Sequence, residues 1–131
     1  MSSELPLPTD AELKILNVLW SQGSSTVRDV MAHLDTDQEY TTVLKHLQIM
    51  HEKGLVSRDE SGRAHVYSAT REEADTQRLL VEDLLDRAFS GSAESLVMRA
   101  LSSEEISKEE LDKIRDLIDR ADDADNNAGD S

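Results

Sequence analysis

In the stretch from Glu39 to Lys53, Thr41, Thr42, Lys45 and Gln48 fall on one side of a 3.6-residue period, with Val43, Leu47 and Met50 on the other. Threonine offers a hydroxyl to a phosphate oxygen and a methyl to thymine. Glutamine pairs with the adenine edge, and lysine reaches a phosphate or the guanine acceptors. The set suits the major groove of duplex DNA. Tyr40 precedes it at the helix N-terminus, the end that favours anions. Arg28 and Arg63 supply cations suited to phosphate. His65 either touches the DNA backbone or lies on the outer face of a strand. An ordinary solvated helix face is the other reading of these residues.

Catalytic and metal chemistry finds no support. His51-Glu52 begins a zinc-protease pattern, but the second histidine would fall at Leu55. His46 and His51 are separated by roughly 140° on a helix, a poor metal pair. Ser90-Gly91-Ser92 follows no strand and is no nucleophile elbow. The acid pairs Glu72-Glu73, Glu104-Glu105 and Glu109-Glu110 sit at helix starts, where they complement the macrodipole. The absence of cysteine removes disulfides, thiolate metal sites and a cysteine nucleophile. No enzyme activity, cofactor or metal is expected.

Elements that hold the polar face in place can be read on both sides of it. Thr9 and Glu12 form a capping box ahead of a helix with Leu13, Leu16, Val18, Leu19 and Trp20 inward, stopped at Gly23. Ser24 or Ser25 caps a second helix bearing Val27, Val30, Met31 and Leu34. After a loop at residues 35–38 comes the helix from Glu39 to Lys53, closed by Gly54. The period then changes to that of strands at residues 55–58 and 64–69, joined by a turn at 59–63. Three short helices followed by a hairpin is the order of a winged helix-turn-helix, in which the third helix enters the major groove and the hairpin touches the flanking backbone. Winged helices also serve as protein-interaction modules, so DNA binding and partner capture both stay open at this point.

Further helices follow. Thr70 and Glu73 make a second capping box before a helix over about 71–89, with Leu80, Val81, Leu84, Leu85 and Ala88 on one face. A short helix around 93–101 carries Leu96, Val97 and Leu101. The last, capped by Ser107 with Glu110, carries Leu111, Ile114, Leu117 and Ile118, with Asp116 and Arg120 at pairing distance. Helices this amphipathic bury area by pairing, and a two-fold homodimer is the commonest solution. Each fully buried leucine contributes about 2 kcal/mol. Folding of this part onto the winged helix is the alternative.

Charge separates the same two parts. The chain of 131 residues carries 28 acids and 14 bases, a net charge of -14, with a net of -4 over residues 1–69 and -10 over 70–131. DNA binding by such a chain needs a local cationic face, with the acidic part turned away. Residues 121–131 hold four aspartates and no apolar side chain larger than alanine, so a disordered acidic tail is expected there. No apolar run is long enough for a membrane span, and Met-Ser-Ser-Glu-Leu-Pro has no secretory character, so a cytoplasmic protein without membrane insertion is expected. The expected fold class is mainly α, with a winged-helix domain at 6–70, a helical dimerisation domain at 71–120 and the tail at 121–131.

Several runs, taken together, resemble the BlaI/MecI group of bacterial repressors, the penicillinase repressor family that also includes the copper-responsive CopY regulators. They are Pro8-Thr9-Asp10-Ala11-Glu12 to Val18-Leu19-Trp20, Tyr40-Thr41-Thr42-Val43 through Lys53-Gly54-Leu55-Val56, Gly62-Arg63-Ala64-His65-Val66-Tyr67, and Ser95-Leu96-Val97. The resemblance covers about residues 6 to 120. It implies a homodimeric transcriptional repressor that binds a DNA operator. Cysteine-based copper sensing is excluded by composition. β-Lactam-responsive members are inactivated by cleavage of an Asn-Phe bond in the dimerisation domain. The comparable position here reads Met98-Arg99-Ala100-Leu101, so the resemblance implies a bond at Arg99-Ala100 and, as a partner, a membrane sensor peptidase.

Overall fold

Among the described residues of the computed structural model, six helices and a two-stranded sheet follow one another in the order ααα-ββ-ααα. The structure describes residues 6–35, 37–103 and 105–129, with side chains through 124. The first five residues, Thr36 in the expected loop, Glu104 and the end of the tail at 130–131 lie outside these. The chain divides into two compact units, the first running through Leu84 and the second starting at Leu85.

Helix α1 (Asp10–Gln22) starts with the expected capping box: the Thr9 hydroxyl accepts from the Glu12 amide and the Glu12 carboxylate accepts from the Thr9 amide. Helix α2 (Val27–His33) corrects the expected cap, which is Thr26 paired with Asp29 rather than Ser24 or Ser25. The Ser25 hydroxyl is engaged elsewhere, donating to the Gly23 carbonyl at 2.8 Å, while its backbone exchanges two hydrogen bonds with Tyr67, adding a one-residue bridge beside the hairpin. Helix α3 (Tyr40–Lys53) ends on Gly54, whose φ of 85° places it in the left-handed region.

The hairpin consists of β1 (Val56–Asp59) and β2 (Val66–Ala69), antiparallel, with Arg58 opposite Tyr67. Both strands start later than the sequence pattern suggests. Leu55 still donates its amide to the Met50 carbonyl, and the loop between the strands extends to His65. His65 therefore lies in the wing loop and not on a strand.

Ile15, Leu16, Val18, Leu19, Val27, Val30, Val43, Leu47, Met50, Leu55, Val56 and Tyr67 form the core of the first unit. Ile15, absent from the expected apolar face, is buried, whereas Leu13 is only half-buried. Beneath this core the Lys53 ammonium lies 2.8 Å from the buried Glu12 carboxylate and ties the end of α3 to the start of α1.

Helix α4 (Glu73–Ala88) begins two residues later than expected, and Thr70 is not its cap. The Thr70 hydroxyl instead donates to the Gly54 carbonyl at 2.7 Å, while the Trp20 indole donates to the Arg71 carbonyl at 2.9 Å. Thr76 is buried. These contacts hold the segment from Thr70 to Thr76 in the first unit, so the division falls inside α4 and not at residue 70.

In the second unit, α5 (Ala93–Ser103) is capped by Ser92, whose hydroxyl accepts from the Ser95 amide. Helix α6 (Lys108–Gly129) is capped by Ser107, which accepts from the Glu110 amide. The backbone stays helical through Gly129, across most of the segment expected to be disordered. Lack of apolar side chains argues against packing. It does not oppose extension of a helix already nucleated, and Ala121, Ala124 and Ala128 favour extension. Among the described residues no helix is long and apolar enough to cross a membrane.

Candidate nucleic-acid interface

Val43, Leu47 and Met50 are fully buried, and this fixes the rotation of α3 about its axis. Thr41, Thr42, Lys45 and Gln48 are in consequence exposed along the opposite side, as their spacing requires. The capping residue of α3, Glu39, makes no side-chain hydrogen bond to the helix start. Its carbonyl accepts from the amides of Thr42 and Val43.

Tyr40 and Arg28 meet where α2 passes the start of α3. The Arg28 guanidinium carbon stands 5.2 Å from the centroid of the Tyr40 ring, within the range of a cation–π contact. Both side chains line a cleft of about 340 Å³ whose other walls come from further along α3 and from the wing. Five of the eight residues singled out by the sequence meet there: Arg28, Tyr40, Gln48, Arg63 and His65. Thr41, Thr42 and Lys45 do not line it. They sit on the outer surface of α3.

Thr26 and Leu44 also line the cleft. The Thr26–Asp29 spacing was a readable signal for the first, as a capping box one residue beyond the serines. Leu44 carries no signal, because an apolar residue on a helix reads as core.

The two wing arginines differ. Arg58 is bound to Glu60 at 2.7 Å, and that carboxylate, with the Tyr67 hydroxyl beside it, holds the guanidinium protonated more firmly than usual. Arg63, in the loop, is exposed and makes no ion pair among the described residues. Asp59 turns back to accept from the Ser61 amide at 2.9 Å, which shapes the start of that loop, and the Ser61 hydroxyl and amide together lower the carboxyl's pKa.

The apolar residues of the later helices remain open. Val81, Leu84, Val97, Leu101, Leu117 and Ile118 are exposed, as is Ala88, and Leu80, Leu85, Leu96, Leu111 and Ile114 are half-buried. Within the second unit, Leu96, Val97, Leu101, Ile106 and Ile114 border one apolar groove between α5 and α6. The Arg99–Ala100 bond lies inside α5, with both side chains exposed. Among the described residues no cluster of three or more histidines and acids could hold a metal ion.

The family model described as penicillinase repressor matches residues 8–120. The penicillinase repressor of Bacillus licheniformis is 25% identical over 117 residues, covering 88% of this chain and 91% of that protein. The methicillin resistance regulatory protein MecI of Staphylococcus aureus (strain N315) is 18% identical over 114 residues, covering 86% and 93%. A solved structure described as a possible transcriptional regulator for arsenical resistance shows a TM-score of 0.46 and 22% identity, covering 63% of this chain and 86% of that one. A family match over this span, on a chain folded as a winged helix followed by a helical unit, identifies the protein as a transcriptional repressor of the BlaI/MecI group, a member of the penicillinase repressor family.

Proposed function

We propose that the chain acts in the cytoplasm as a homodimer that occupies a palindromic DNA operator, and that a proteolytic cut in the helical unit releases it. The observation that carries the DNA reading is the α3 surface. Thr41, Thr42, Lys45 and Gln48 are exposed together, and Arg28 and Arg63 arrive beside them from α2 and the wing. In this reading the outer face of α3 enters the major groove and meets base edges, while Arg28, Arg63 and His65 contact the backbone. The open apolar faces of α4, α5 and α6 support pairing of two copies, which would present two α3 helices to half-sites about one helical turn apart. A sensor peptidase cutting at Arg99–Ala100 would sever α5 and with it the paired surface.

Replacing Lys45 and Arg63 together by glutamate tests the reading. Retention of duplex DNA in a gel-shift titration is expected to vanish, with the circular dichroism of the fold unchanged, since both side chains are exposed. Wild-type affinity should fall about 10³-fold between roughly 50 and 200 mM salt for about six phosphate contacts. A doubly substituted chain that binds DNA as the wild type does would refute the reading and leave the winged helix as a protein-interaction module.

A further inference from the structure

The cleft bordered by α2, α3 and the wing has a charge balance opposite to that of the chain. Two arginines and a histidine line it and no carboxylate does, although acids outnumber bases 28 to 14 overall. Two of the neighbouring acids are already engaged, and Glu39, next to Tyr40, does not line the cleft. Asp29, next to Arg28, accepts from the Thr26 amide. Glu60, three residues before Arg63, is bound to Arg58. Arg28 and Arg63 thus reach one cleft from separate elements with no carboxylate partner among the described residues, an arrangement whose mutual repulsion an anion between them would relieve. The Tyr40 ring beside Arg28 restricts the conformations open to that guanidinium. At about 340 Å³ the cleft has room for a phosphate group and several waters, each needing roughly 30 Å³.

We infer that this cleft is a seat for a single tetrahedral oxyanion, a phosphate, held between Arg28 and Arg63, with Tyr40 as the positioning residue for Arg28. A phosphate of the DNA backbone and a free phosphate ion offer the same chemistry. The first source rests on the DNA-binding reading above and the second does not. With DNA as the source, labour divides: the outer residues Thr41, Thr42 and Lys45 read bases, and the cleft sets the protein's register on the backbone without regard to sequence.

Two arms test the seat on the full chain. With a mixed-sequence duplex, Arg28→Gln and Arg63→Gln should each weaken binding about tenfold and reduce the slope of log K against log salt by about 0.9. Tyr40→Phe should stay within about twofold, whereas Tyr40→Leu should weaken binding about two- to fivefold and add nothing in the Arg28→Gln background. In the second arm, inorganic phosphate replaces chloride at constant ionic strength, and the side-chain NMR signals of Arg28 and Arg63 are followed. They should shift together in the wild type, and the Arg28 signal should stay still in Arg63→Gln. A wild type that ignores every duplex but shows the phosphate response keeps the seat and refutes the DNA reading. A wild type that binds duplex, with unchanged salt slopes in both arginine variants and no phosphate response, overturns the seat and keeps the DNA reading. Failure of both arms overturns both, and equal losses for Tyr40→Phe and Tyr40→Leu overturn the positioning role.

Discussion

Glu12 serves two elements with one carboxylate, accepting from the Thr9 amide at 2.9 Å and from the Lys53 ammonium at 2.8 Å. Burial alone would raise its pKa, but Lys53 and the Thr9 amide together outweigh burial and hold the carboxyl below its ordinary 4.5. A carboxyl whose folded value is depressed stabilises the fold above the unfolded value of 4.5 and loses that contribution as the pH falls through the folded value. Thermal unfolding across the acid range should show this loss, and Glu12→Gln should flatten it; an unaltered acid limb in that variant would place the titration elsewhere. Glu12→Ala, which removes the carboxylate half of the capping box and the ion pair but leaves the Thr9 hydroxyl on the residue-12 amide, should cost about 2 kcal/mol. Half of this was legible in the sequence. Thr9 and Glu12 stand three apart and announce a capping box, whereas nothing local marks Lys53, 41 residues away. The same limit explains Thr70, a good cap by type that is engaged by Gly54 across a long stretch of chain.

At the scale of elements, α3 carries the polar face proposed to meet DNA, and its end is fixed by Gly54. A left-handed residue there lets the chain turn from helix to strand while Leu55 donates back to Met50. A side chain at that φ is strained, so Gly54→Ala should lower stability by about 1–2 kcal/mol, read as a lower Tm by circular dichroism. An unchanged midpoint would mean that the end of α3 adjusts without strain. The existence and order of the eight elements among the described residues were legible in the hydrophobic period, although the caps expected for α2 and α4 are not the ones formed. The starts of β1, β2 and α4 were not, since each depends on backbone hydrogen bonds to residues outside the element. The outer face of α3 was equally legible, because burial of three apolar residues determines what stands opposite. The cleft was not, because it exists only where α2, α3 and the wing loop come together.

For the whole molecule, the distribution of uncovered apolar surface sets the expectation. Among the described residues, apart from Tyr40, the large apolar side chains that remain exposed all lie between Val81 and Ile118, with Met98 at 52% and Leu117 at 60%. No residue of α5 is buried. Surface of this kind marks an interaction site. Under the homodimer proposal, Val97→Glu combined with Leu101→Glu should convert the protein to a monomer at micromolar concentration in sedimentation velocity, with the far-ultraviolet spectrum retained. A wild type that sediments as a monomer would remove the basis for two-fold operator binding.

Trp20 is the sole tryptophan of the chain. Its indole N–H is held by the Arg71 carbonyl, next to the Thr70 hydroxyl that donates to Gly54. The protein therefore carries a built-in optical gauge at the place where the chain leaves the winged helix. On denaturant titration its fluorescence emission should begin to move to the red before helical ellipticity falls, as this peripheral strap lets go ahead of the core. Superimposable fluorescence and ellipticity curves would mean that strap and core open as one cooperative unit.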